Sequence, residues 1–213
     1  MRSPSLTALA PALALAAVIA FAVPAIPGVA PAAAQAIDPA RAPVQALCDG
    51  LIGIMKAGKA AGVRGRAAAI APVIDRSFDL PLMTRLSIGS GWTTLSPADQ
   101  AALVAAFRRM TIAQYAGNFD SWAGQSFAID AKVEARGADR LVRTSLVAKK
   151  DAPVPLSYRL RQSAGGWKII DVFYRSAISQ LATRRADFEG VLAHGGAKAL
   201  IGHLDTLATK TGG

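Results

Sequence analysis

A lone cysteine cannot form an intrachain disulfide, and this chain has one, Cys48. It falls at helical spacing with Val44, Leu47 and Leu51, which reads as a small buried hydrophobe. The preceding Gln45-Ala46-Leu47 is not a small-residue lipobox, so acylation at Cys48 is excluded. Histidine is nearly as scarce. His194 and His203 lie nine residues apart in the C-terminal region, whereas ligands on one helix face want a spacing of three or four. A zinc site is therefore not expected, and no metal or other cofactor. There is no G-x-S-x-G elbow, since Gly89-Ser90-Gly91 is too short, and no phosphate-binding G-x-x-x-x-G-K-[ST] loop. After the first 36 residues no apolar run approaches the ~20 residues of a spanning helix.

Acidic residues are also few: 14 against 24 basic, a formal charge of +10. In a cytosolic chain that balance would raise nucleic acid as a partner. The N-terminus redirects the question. Arg2 forms a short positive segment, Leu6 to Val23 is uncharged and apolar, and Ala34-Gln35-Ala36 has the A-x-A form of a cleavage site. We expect residues 1–36 to be a cleaved export signal rather than an anchor, because Pro24, Pro27 and Pro31 interrupt any helix. The mature chain would be Ile37–Gly213, 177 residues at +9, expected to be exported. An exported basic surface meets anionic lipid head groups or acidic proteins, or serves solubility alone; nucleic acid is not an expected partner.

One domain fits this length. Residues 37–122 read as mainly helical. Asp38-Pro39 supplies an N-cap and a proline at N1, and Val44, Leu47, Leu51, Ile54 and Met55 form a stripe. A second helix is expected over about Arg64–Phe78, and a short one within 79–91 ending at Gly89. A fourth start at Ser96-Pro97-Ala98-Asp99 runs to about Asn118. Residues 123–175 read as four strands. Phe127 to Glu134, Leu141 to Lys149, Val154 to Gln162 and Trp167 to Tyr174 are joined by short turns, Gly165-Gly166 among them. Residues 176–213 read as two helices separated by Gly195-Gly196. The class is α+β with an antiparallel meander.

Catalytic groups are sparse. Asp79 reads as a helix N-cap before Leu80-Pro81, four residues after Asp75. Asp171 interrupts an apolar strand (Ile169, Ile170, Val172, Phe173) and must find a partner or stay wet. Capping a helix or pairing an arginine is the structural explanation. Apolar surface, in contrast, is plentiful. Leu86, Ile88, Phe107, Met110, Tyr115 and Phe119 from helices, and Val142, Leu146, Leu156, Tyr158, Leu160 and Ile169 from strands, could enclose either a solid core or a hollow.

The motifs, in order, are Phe78-Asp79, Met83, Leu86-x-x-Gly89-x-x-Trp92, Ser96-Pro97-x-x-Gln100, Phe107 and Tyr115-Ala116. They continue with Val142-x-Thr144, Tyr158-Arg159-Leu160, Gly166-Trp167-Lys168-Ile169-x-Asp171-Val172 and Arg185-x-x-Phe188. This series resembles the MlaC (toluene-tolerance) family of periplasmic phospholipid-binding components of an ABC lipid transport system. The family commonly has Asp, four residues, then Gly-Val-Ser after the last strand. Here the glycine is absent and the run Ile178 to Arg185 is more similar to the hopanoid-associated HpnM branch. The resemblance implies a curved four-stranded antiparallel sheet of the nuclear-transport-factor type, wrapped by N- and C-terminal helices around an apolar cavity. The twelve apolar residues above would line it, and Trp92, Trp167 and Asp171 would be structural. It also implies a bound phospholipid or hopanoid and transient contact with membrane surfaces. Its implied partners are an inner-membrane MCE-domain/ABC transporter complex and an outer-membrane lipoprotein complex. Two acyl chains of roughly sixteen carbons would cost on the order of 20 kcal/mol in water at about 0.8 kcal/mol per methylene. A carrier must replace most of that with its own wall, and needs no catalytic residue. Two other readings are an isomerase or hydrolase using Tyr158 and Asp171, and an envelope adaptor with a solid core.

Overall fold

The computed structural model describes residues 37–210; the expected export signal lies outside them. Four helices come first: α1 (Arg41–Ala57), α2 (Gly62–Ser77), α3 (Leu80–Ile88) and α4 (Pro97–Asn118). Short 3-10 segments at Lys59–Ala61 and Gly89–Thr94 lie at two of their joints. Five strands follow: β1 (Ser126–Arg136), β2 (Asp139–Val147), β3 (Val154–Ser163), β4 (Gly166–Tyr174) and β5 (Ile178–Ser179). α5 (Gln180–Lys210) closes the described chain and breaks at Gly196, whose φ of 63° a side chain would oppose.

Capping chemistry sets the helix starts. The Asp79 carboxylate accepts the Leu82 N–H at 3.0 Å, and the Ser96 hydroxyl accepts the Asp99 N–H at 3.1 Å. α1 starts later than expected. Asp38 accepts from the Ala40 N–H at 2.9 Å and closes a turn containing Pro39, so the helix proper begins at Arg41.

Each strand pairs antiparallel with the next, in the order β1-β2-β3-β4-β5. The fifth strand adds to the four expected. Its two residues are too short to show alternation, so its position read as the beginning of a helix. The register shifts between Ile129 and Val133 and again between Arg159 and Leu160. Such irregularities bend a strand and increase its twist, which gives the sheet curvature toward the helices. Val142, Tyr158, Leu160 and Ile169 from the sheet pack into one core with Val44, Leu51, Ile70, Phe107, Phe188 and Leu200.

The sequence motifs have local physical causes. Phe78 is extended and pairs with Ile169, the Asp79 N–H donates to the Ile169 carbonyl at 2.9 Å, and Asp79 caps α3. Together these tie the helical layer to β4. Gly89, at φ 70°, ends α3 with the Arg185 guanidinium against it; a Cβ there would approach that group to 2.8 Å. The Gln100 amide donates to the carbonyls of Trp92 at 3.0 Å and Leu95 at 3.3 Å, bracing the loop before α4. The Trp167 ring, half-buried, carries the Arg140 guanidinium 5.2 Å from its centroid. Asp171 caps α5: Oδ1 accepts from the N–H groups of Leu181 and Val172, and Oδ2 from the Ser179 hydroxyl at 2.6 Å.

Two charged groups in buried positions were not legible in the sequence. Arg66, 5% exposed, donates to the carbonyls of Gly58 and Ala116, each at 2.8 Å, at the C-terminal ends of α1 and α4. Both helix dipoles present partial negative charge there. Asp139, 1% exposed, receives Arg159 Nε at 2.6 Å and Arg161 Nε at 2.7 Å. These hydrogen bonds, Arg161's first, outweigh its burial and hold its carboxyl below the ordinary aspartate value. A depressed carboxylate pKa contributes stability above the unfolded value near ~4, and that contribution is lost as pH falls through the folded value. Asp139→Asn is therefore expected to cost about 1–3 kcal/mol at neutral pH. The gap to the parent should narrow below about pH 4, as measured by urea denaturation across pH.

Candidate functional site

α4, α5 and the inner face of the sheet do not meet everywhere. Between them lies a cavity of about 410 Å³, open at one side. Its sheet wall is Leu146, Val154, Leu156, Tyr158 and Val172; Phe78, Met83 and Phe119 close it from the helical layer. Tyr158, Met83 and Phe78 are nearly fully buried and mark the deep end, whereas Tyr174, 41% exposed, and Asn118 mark the rim. Phe78, Tyr115 and Phe119 form an aromatic row along one side, with centroid separations of 5.8 and 5.9 Å.

The remaining wall is polar. Thr111, Gln114 and Asn118 recur at three- and four-residue spacing on α4, and Gln180 and Arg184 at four on α5, so both sets line the helix seam. Arg184 Nη2 donates to Gln114 Oε1 at 3.0 Å, and its guanidinium carbon lies 5.0 Å over the Phe107 ring. Desolvation draws the Arg184 pKa down, partly offset by Tyr115 and Asp171. Burial pushes the Tyr115 hydroxyl up to about 12 and the Tyr158 hydroxyl well above its ordinary value. Both phenols are therefore neutral across the physiological range. Cys48 lies behind this region, buried, its thiol pushed up to about 12 by burial and the neighbouring Asp49 charge.

Of the twelve residues named from sequence, Tyr115, Phe119, Leu146, Leu156 and Tyr158 line the cavity. Seven do not. Phe107, Met110, Val142, Leu160 and Ile169 are fully packed in the solid part of the core. Ile88 is buried on α3 away from the hollow, and Leu86 is half-buried there. The strand residues had the correct facing but lay farther along the sheet. Periodicity reports which face is apolar, not where packing stops. The polar residues of the seam are not among the twelve. Asp171 sits behind the wall as a cap, with both oxygens hydrogen-bonded, and does not line the cavity with Tyr158.

Both histidines have local partners: His194 Nδ1 is 2.7 Å from the Gly190 carbonyl, and His203 Nε2 is 3.0 Å from Asp187. Among the described residues no group of three His, Cys, Asp or Glu side chains is placed to hold a metal ion. No helix among them is long and apolar enough to cross a membrane. The opposite face of the sheet carries a shallower groove with Arg136, Arg143 and Arg159 around Leu141 and Phe173. Arg136 and Arg143 pair with Glu134 there, and Arg159 with Asp139.

Fold and site together define an α+β protein whose curved antiparallel sheet and covering helices enclose an apolar, open-ended cavity. The MlaC protein family model matches residues 45–206, and the chain belongs to that family. Among solved structures it is similar to a phospholipid-binding protein from Ralstonia solanacearum, determined in complex with a phospholipid. The TM-score is 0.71 at 23% identity, covering 82% of this chain and 99% of that one. No curated protein gives a significant match.

Proposed function

We propose that this chain is a non-catalytic periplasmic carrier that holds phospholipid in the cavity between α4, α5 and the sheet. The observation that carries this reading is the hollow itself, about 410 Å³ with Leu146, Val154, Leu156, Val172, Phe78 and Met83 in its wall. Membership of the MlaC family and the phospholipid held by a protein of the same fold support it. Desorption of a diacyl lipid through water is prohibitive, so loading and unloading must occur by docking. The partners on this reading are the MCE-domain/ABC complex of the inner membrane and a lipoprotein complex of the outer membrane. Hopanoid is the alternative cargo, and it rests on the run Ile178 to Arg185 alone.

The test is extraction from vesicles. Delipidated mature protein is incubated with vesicles carrying labelled phosphatidylglycerol, and the vesicles are then sedimented. Label recovered in the supernatant at near one lipid per protein supports the carrier. Label that stays wholly with the vesicles contradicts it.

A further inference from the structure

Arg184 is the feature of the cavity that an acyl chain does not explain. α5 starts at the rim, where Gln180 follows the exposed Tyr174 to Ile178 turn, and Arg184 lies one helical turn farther in. A guanidinium has five N–H donors. Here one hydrogen bond goes to Gln114 and the guanidinium carbon lies 5.0 Å over the ring of Phe107, which is 0% exposed. Among the described residues no carboxylate lies within ion-pair distance of Arg184. A second, independent group lacks any partner. The Thr111 hydroxyl, in a residue 1% exposed on the cavity wall, has no hydrogen-bond partner. Helical threonines commonly bond the carbonyl one turn back, and this one does not. A charge with no direct ion pair beside an apolar hollow, offset only at longer range by Asp171, is costly, and so is an unmade buried hydrogen bond. Both are offset by a ligand that brings oxygen acceptors and negative charge.

We infer that the cavity recognises an anionic lipid head, carboxylate or phosphate, drawn inside the rim onto Arg184, with Thr111 as a further donor and Gln114 holding the guanidinium. The hydrocarbon then lies along Phe78, Met83 and the sheet wall. This rests on the lipid-binding reading and adds to it a selectivity for acid-headed lipids and the residue that imposes it. Arg suits the role because its fork matches planar or tetrahedral oxyanions and stays charged when desolvated.

Two ligand pairs, each differing in the acid group alone, test the idea on delipidated mature protein at 0.3 M salt, which screens the exposed charges. The pairs are oleate against oleyl alcohol, and oleoyl lysophosphatidic acid against mono-olein, with dissociation constants from titration calorimetry. The parent is expected to favour the acid by at least tenfold in one or both pairs; the pair that shows it identifies carboxylate or phosphate. Arg184→Gln should bring that ratio toward one, Arg184→Lys should retain most of it, and Thr111→Val should lower it severalfold. Thr111→Val is nearly isosteric and removes no hydrogen bond, so it remains informative if Arg184→Gln fails to fold. A ratio near one in the parent, or a ratio unchanged in the variants, overturns the inference while leaving the carrier reading intact. Failure of all four ligands to bind overturns the carrier reading first.

Discussion

The double variant Leu156→Trp, Val172→Trp is expected to fold normally and to lose lipid binding by about a hundredfold. Both side chains belong to the sheet wall of the cavity and both are half-buried, so the added rings enter empty space rather than a packed core. Overpacking, which costs about 1–3 kcal/mol in a filled interior, is therefore avoided. The two indoles take the room of roughly four methylenes. At about 0.8 kcal/mol for each methylene denied a dry wall, binding weakens by ~3 kcal/mol, or about two powers of ten. Unchanged thermal stability with lost binding separates a working cavity from an incidental gap. Equal loss of both would indicate that the wall is structural.

Phe107→Ala should do the reverse, with a large effect on stability. Phe107 is 0% exposed, meets Phe188 edge-on at 6.4 Å, and supports the Arg184 guanidinium from below. Truncating a buried phenylalanine typically costs about 3–5 kcal/mol, through lost burial and the cavity left behind. Additional loss is expected here from the edge-on aromatic pair, about 0.5–1.5 kcal/mol. Urea denaturation should show a lower midpoint with the slope preserved. A change below 1 kcal/mol would mean that the core here is not close-packed.

The sequence carried the architecture well where chemistry is local. Asp79 and Ser96 announce their helices because an N-cap acts within three residues, and both make the expected bonds. Gly195-Gly196 separates two helical stretches because only glycine tolerates the Gly196 backbone. The strands from Ser126 to Tyr174 show their alternation, and Asp171 was legible as a charge needing a partner. What escaped was long-range. β5 has two residues and exists because the turn after Tyr174 returns it to β4. Arg66 reads as one more helix surface charge until α1 and α4 bring their carbonyl ends to it.

The candidate site divides along the same line. Tyr115, Leu156 and Tyr158 face the hollow as their strand or helix period suggests, but Leu160 and Ile169, equally apolar and also inward, are packed solid. Arg184 lies off the apolar stripe of Ile178, Leu181, Phe188 and Leu192, so periodicity does not mark it as facing a cavity. Its inward position depends on where α5 crosses α4, which no local pattern encodes. A signal was present nonetheless. Gln114 and Thr111 lie on the inward, otherwise apolar side of α4, and polar residues there without a sequence-local partner point to a lined hollow.

The most direct test of the carrier reading is native mass spectrometry of the mature protein purified from a lipid-containing envelope, with extraction and identification of what it holds. The account expects one stoichiometric bound lipid, bearing an acidic head group and released by the Leu156→Trp, Val172→Trp variant. Protein that emerges empty, and stays empty after incubation with vesicles of phospholipid and hopanoid, would contradict it and favour an adaptor whose interior serves only to hold its shape.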